Sequence, residues 1–96
     1  MKPSQVLSAY RDDIRRVVAA HRATNARVFG SVIHGCDTPQ SDLDIIVDPT
    51  EAMTFMDVAA IQVELEDLLG ISVDVLTPKA LPDSFRHHVL SEAAPI

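Results

Sequence analysis

Two aspartates one residue apart, Asp42 and Asp44 in "SDLDIIVD", stand at the head of an apolar run. In an extended chain the side chains at i and i+2 leave the same face, so both carboxylates point together while Leu43, Ile45 and Val47 point the other way. Strand rise sets their Cα atoms roughly 6–7 Å apart, close enough for the pair to hold one or two hard cations. Without a cation the like charges raise one carboxyl pKa and weaken the strand. A later run, "ISVDVLTP", repeats the pattern with one acid: Ile71, Val73 and Val75 share a face and Asp74 emerges from the other. If the two runs lie side by side on the same helices, three carboxylates converge. Upstream, Gly30 and Ser31 in "FGSVIHG" close another short apolar run. A helical turn starting there would present backbone N–H groups and the Ser31 hydroxyl to a phosphate, and Gly30 would let the backbone approach it closely. An acid cluster for Mg²⁺ beside a phosphate cradle is what phosphoryl or nucleotidyl transfer requires. The ions neutralise a triphosphate, and a third carboxylate accepts the proton of an attacking hydroxyl.

The remaining sequence must position these residues. From Ser4 to Arg22, Leu7, Tyr10, Ile14, Val17, Val18 and His21 recur at steps of three and four, which predicts an amphipathic helix. Ala26 to Phe29 reads as a strand stopped by Gly30, and Gly35, Thr38, Pro39 and Ser41 make the following segment a loop, with room for one helical turn after Ser31. Leu43 to Val47 is a second strand, broken at Asp48-Pro49. A second helix starts at about Thr54, where Thr54 and Asp57 have capping-box spacing; Val58, Ile61, Leu65, Leu68 and Leu69 form its buried stripe and Gly70 its stop. Ile71 to Leu76 alternates as a third strand. A last helix, from Pro82 or Asp83 to Ala93, offers Phe85, Val89 and Leu90 to the core. The expectation is an α/β (α+β) fold: a small mixed three-stranded sheet flanked by helices, in one domain over residues 1–96.

Composition narrows the chemistry further. A chain of 96 residues, 47% of them aliphatic, aromatic or Cys, has room for one modest core. No apolar run approaches the ~20 residues needed to cross a bilayer, and no signal-peptide pattern opens the chain, so no membrane is expected and the cytoplasm is the default location. The lone Cys36 has no second Cys for a disulfide or a thiolate metal site and reads as a bystander. The formal charge of −6 is unevenly spread: six basic residues face two acidic ones up to Arg27, and two face twelve beyond it. Most of the surface would repel duplex nucleic acid and attract divalent cations. Arg11, Arg15 and Arg16 read as a solvated helix face, Asp48 as a turn residue, and His87 and His88 as exposed histidines or partner contacts.

With those residues in place, the chain resembles the DNA polymerase beta-type nucleotidyltransferase superfamily. The carriers are "GS", a second Gly at Gly35, "SDLDIIVD" and the lone strand Asp of "ISVDVLTP". More narrowly it is similar to the minimal nucleotidyltransferase (MNT) branch, over nearly the whole chain. The resemblance implies that Gly30 and Ser31 form the nucleotide-phosphate turn and that Asp42 and Asp44 are ligands of two Mg²⁺ ions. It implies that Asp74 is the third carboxylate, sharing a metal and activating the acceptor hydroxyl, with ATP as substrate. Many members of the branch are antitoxins paired with a HEPN-domain ribonuclease toxin, and some move AMP from ATP onto a toxin tyrosine. A HEPN-type toxin is therefore the implied partner, in a hetero-complex or other oligomer. In one departure, the basic residue that the family usually places before its second Gly, commonly Arg, is His34, assigned here to the nucleotide phosphates. A neutral imidazole holds a triphosphate less strongly than a guanidinium.

Two further readings stand beside this one: a catalytically inactive antitoxin that neutralises its toxin by binding alone, and a stand-alone nucleotidyltransferase acting on a small hydroxylated molecule. The short chain leaves little to wall a small-molecule pocket.

Overall fold

A proline at the first helical position, where no backbone N–H is needed, opens α1 (Pro3–Ala20). The Lys2 N–H donates to Gln5 Oε1 at 2.8 Å at the same end. Val6, Leu7, Ile14 and Val18 form its buried stripe. Tyr10 departs from it: its backbone leaves helical geometry (φ −125°, ψ 23°), and the ring is exposed rather than in the core. The computed structural model describes all residues 1–96. After α1 come β1 (Ala23–Phe29), a 3₁₀ turn (Gly30–Val32), β2 (Leu43–Pro49), α2 (Phe55–Leu69) and β3 (Val73–Leu76). A second 3₁₀ turn (Pro78–Ala80), α3 (Asp83–Glu92) and β4 (Ala94–Pro95) complete the chain.

The sheet is mixed and has four strands, in the order β3-β2-β1-β4. The three-stranded expectation is thus corrected by one strand. β4 is only two residues long and contains Pro95, so nothing in its local sequence marks a strand. It pairs with Arg27 and Val28, and it is held from outside by α1: Arg11 and Arg15 donate to the carbonyls of Pro95 and Ile96 at 3.2 and 2.6 Å. Two of the three arginines read as a solvated face therefore fasten the sheet edge. β1 and β2 are antiparallel, whereas β2 and β3 are parallel and joined through α2, the crossover that parallel neighbours require.

β2 does not break at Asp48-Pro49 but runs through both residues. Asp48 pairs with Thr24, accepts a hydrogen bond from Asn25 Nδ2 at 2.9 Å and is bridged to the Arg27 guanidinium. It steadies β1 where the ladder register shifts between Thr24 and Arg27. Asp48 is a strand residue rather than a turn residue.

α2 begins as its cap spacing suggests, with Thr54 N–H donating to Asp57 Oδ2 at 2.9 Å, and it ends at Gly70 in left-handed geometry (φ 70°). Ile61, Leu65 and Leu69 are buried, while Leu68 turns outward. α1 and α2 pack on one face of the sheet over Leu43, Ile45, Val47, Val28, Val73 and Val75, the centre of the hydrophobic core. Alternation sends Ile46 to the opposite face, where it is fully buried, as Leu81 nearly is. None of the three apolar residues assigned to the core from α3 is fully buried, and Phe85 stays 45% exposed.

The loop from Ile33 to Asp42 is tied to α1. Asp37 is buried, and its Oδ2 accepts the Ser4 N–H at 2.9 Å in the first turn of the helix. That backbone hydrogen bond, then one from the Ser4 side chain, holds the Asp37 carboxyl below its ordinary value. An anion at a helix N-terminus is favourable in the same sense. Because the folded value is depressed, the tie is fully present above the unfolded carboxyl value and is lost as pH falls through the folded one. Asp37→Ala is expected to speed amide exchange at Ser4 by about tenfold or more through local opening. Unchanged exchange at Ser4 would show that the loop is held by other contacts.

Candidate active site

Strand register places the acids. Asp44 is paired on one side with Phe29 of β1 and on the other with Asp74 of β3, so the three residues form one row across the sheet. Side chains paired across adjacent strands share a face, and neighbouring strands lie about 4.8 Å apart. Asp42 sits two residues before Asp44, at the entrance to β2. Leu43, Ile45, Val73 and Val75 are buried on the helix-covered side, which assigns the carboxylates to the opposite face. Asp42 and Asp74 are exposed and Asp44 is half-buried between them.

The electrostatics follow from this row. Asp44 is raised from 3.8 to about 6, first by burial, then by the charge of Asp74, then by that of Asp42. Asp12, Asp13, Asp48 and Asp83 are each paired with an arginine, but no salt bridge reaches Asp42, Asp44 or Asp74. The site concentrates negative charge and supplies no cation of its own.

Gly30 stands against this cluster. It adopts φ +76°, in the left-handed region that favours glycine, and a Cβ added there would run into the Asp44 carboxylate, lying 3.3 Å from its Cγ. Gly30 and Ser31 open the 3₁₀ turn, which is closed by Ile33 N–H and His34 N–H donating to the Gly30 carbonyl at 3.1 and 3.2 Å. The glycine turn anticipated after β1 thus lies beside Asp44. His34 is engaged elsewhere: its Nε2 lies 2.8 Å from Glu92 Oε2, and His88 Nε2 is 3.1 Å from Glu92 Oε1. The hydrogen bond from His34 chiefly holds the Glu92 carboxyl below its usual range, and the His88 charge adds to it. Glu92 links the loop after the Gly30–Val32 turn to the end of α3.

The donors are all carboxylate oxygens, the type that Mg²⁺ selects. They share a face without being gathered into a closed three-ligand cage. Mg²⁺ requires no such cage, since it binds through one or two carboxylates and completes its shell with water and substrate phosphates. The bare Cα of Gly30 makes room for the Asp44 carboxylate itself, which takes the place a Cβ would fill. The three concavities on the surface are lined by other residues, so the acid row is an open shelf.

Comparison with known proteins agrees with this geometry. Residues 13–96 match the family model described as polymerase beta, nucleotidyltransferase. A candidate protein adenylyltransferase of Methanocaldococcus jannaschii, MJ0435, is 31% identical over 80 residues, covering 83% of this chain and 86% of its own. A solved candidate minimal nucleotidyltransferase superposes with a TM-score of 0.86 at 39% identity, over 97% of this chain and 95% of that one. A toxin–antitoxin crystal structure with AMP-PNP shares the fold at a TM-score of 0.73 and 17% identity, over 88% of this chain and 69% of that one. No helix here is long and apolar enough to cross a membrane. The chain therefore belongs to the polymerase beta-type nucleotidyltransferases, within their minimal branch, and is a nucleotidyltransferase.

Proposed function

We propose that this chain, as a single domain over residues 1–96, transfers AMP from ATP to a hydroxyl of a partner protein in a Mg²⁺-dependent reaction, as the antitoxin of a HEPN-type ribonuclease toxin. The carrying observation is the half-buried Asp44, flanked by Asp42 and Asp74, packed against a glycine whose missing side chain makes room for its carboxylate. Asp42 and Asp44 are the residues that would hold two magnesium ions, with Asp74 sharing one. Magnesium, when bound, neutralises triphosphate charge and stabilises the entering and leaving oxygens of an in-line displacement. The chain's own part is positional. Gly30 and Ser31 cradle the phosphates, and His34 would add a donor near the same turn only after leaving Glu92. Asp74, exposed at the edge of the row, accepts the proton of the attacking hydroxyl, whose oxygen bonds to the α-phosphorus as pyrophosphate leaves. The protein acceptor and the toxin partner are supported by the relative described as a candidate protein adenylyltransferase and by the fold shared with a nucleotide-bound toxin–antitoxin complex.

The test uses purified chain, α-labelled ATP and the cognate toxin. Asp42→Asn/Asp44→Asn is expected to abolish label transfer, and undiminished transfer by the double variant rejects the metal assignment. One observation favours a second reading, an inactive antitoxin that works by binding alone: His34 is occupied by Glu92. Under that reading the double variant neutralises the toxin as well as the parent does.

A further inference from the structure

α2 is apolar on two sides. Its inner side supplies Ile61, Leu65 and Leu69 to the core. On the opposite side Met56 and Val63 are 76% and 58% exposed with Ala59 between them, and Phe55, 94% exposed, stands at the helix start. Successive residues of a helix advance by 100°, which sets Met56 and Val63 diametrically across from the buried residues. A lone exposed apolar side chain needs no explanation, but a continuous ridge of this kind marks an interaction surface. At its N-terminal end a concavity of about 220 Å³, lined by Pro49, Met53, Thr54, Phe55, Val58 and Thr77, offers a socket for one inserted apolar side chain.

The charges beside the ridge select its occupant. α2 carries Asp57, Glu64, Glu66 and Asp67 and no lysine or arginine, and Glu51 precedes it. Asp57 caps the helix, Glu64 meets His21 and Glu66 accepts the Val73 N–H, which leaves the exposed Asp67 and Glu51 to set the outward charge. In a two-fold pairing of α2 with its own copy, acids would meet acids across the interface, which is unfavourable. An apolar helix bordered by basic residues meets both the ridge and its rim. We propose that the outer face of α2 is a docking surface for a partner protein that presents an apolar helix flanked by lysine and arginine, and not for a second copy of this chain. This surface lies on the helix-covered side of the sheet, opposite the acid row. Docking and nucleotide transfer are therefore separable, and the proposal is independent of the reading of Asp42 and Asp44.

The probe is a synthetic amphipathic helix with leucines at i, i+3 and i+4 and flanking lysines, compared by fluorescence anisotropy with a twin whose flanks are glutamate. The full chain is expected to bind the lysine peptide at least about tenfold more tightly, with the difference shrinking at high salt. Met56→Lys/Val63→Lys removes that binding without moving the melting temperature, since both side chains face solvent, and Asp67→Lys weakens it. Asp44→Asn binds the peptide normally. Equal binding of the two peptides, or binding unaffected by Met56→Lys/Val63→Lys, overturns the proposal. Sedimentation revealing a dimer of the chain that Met56→Lys/Val63→Lys dissolves also overturns it, by assigning the face to a second copy.

Discussion

Asp44→Asn is expected to yield a protein that melts at a higher temperature than its parent and has lost nucleotide transfer. Asp44 is half-buried between two other carboxylates and is raised from 3.8 to about 6. A carboxyl whose folded value lies above its unfolded value destabilises the fold when ionised. The penalty is complete above about pH 6, shrinks as pH falls toward 3.8 and is absent below it. The full shift corresponds to about 3 kcal/mol, and solvent screening at this partly exposed position reduces it to about 1–2 kcal/mol. In a domain this small that is a rise of about 5 °C or more in Tm at neutral pH. Transfer is expected to fall by about 10²–10³-fold or more, the scale of losing one charge-organising group at a reaction centre. Thermal melts at pH 7.5 and at pH 4, each with and without Mg²⁺, check the physical origin. The variant's advantage vanishes at the lower pH, and Mg²⁺ stabilises the parent at pH 7.5 but not the variant. A variant that melts at or below the parent at pH 7.5 contradicts the account of Asp44.

Gly30→Ala is expected to harm the same centre by a different route. At φ +76° an alanine carries a backbone strain of about 1–2 kcal/mol, and its Cβ competes with the Asp44 carboxylate for space. The carboxylate must turn away, which disturbs the row of Asp42, Asp44 and Asp74. Transfer should drop about 100-fold or more, since small misplacements at a reaction centre cost that much. Gly70→Ala separates the two causes. Gly70 has nearly the same backbone angle, φ +70°, with nothing within 4 Å of an added Cβ. It should therefore lose comparable stability and keep its transfer rate. Equal loss of transfer in both variants would assign the effect of Gly30→Ala to general destabilisation.

The placement of the candidate site residues was readable from sequence because its signals are local. Two carboxylates at i and i+2 in an apolar run declare a shared face, and Gly30 declares a turn. Asp74 needed one further assumption, that the second and third strands are neighbours on the same helices, and the parallel pairing of β2 with β3 supplies it. What escaped depends on distant partners. Glu92 meets His34 across 58 positions, a relation no periodicity encodes. Arg11 and Arg15 reach the carbonyls of Pro95 and Ile96 more than 80 positions away. β4 exists because β1 offers it an edge and not because Ala94-Pro95 favours a strand. Asp48 looked like turn chemistry before a proline, but its partners Asn25 and Arg27 keep β2 extended through it. Tyr10 and Phe85 fit a helical period yet remain at the surface, since spacing alone does not say whether another element lies opposite.

The parallel arrangement of β2 and β3 also bears on the order in which the centre comes together as the chain folds. Gly30 directly follows β1, which pairs antiparallel with the strand of Asp44, and the two residues are 14 positions apart, so a short loop closure unites them. Asp74 is a further 30 positions on and arrives only once the intervening helix has docked and its strand has aligned. High sequence separation makes such pairings slow. Asp74, the proposed base for the acceptor hydroxyl, is accordingly the last member to join, and a nascent or partly opened molecule can hold the Gly30–Val32 turn and the first two acids while lacking the third.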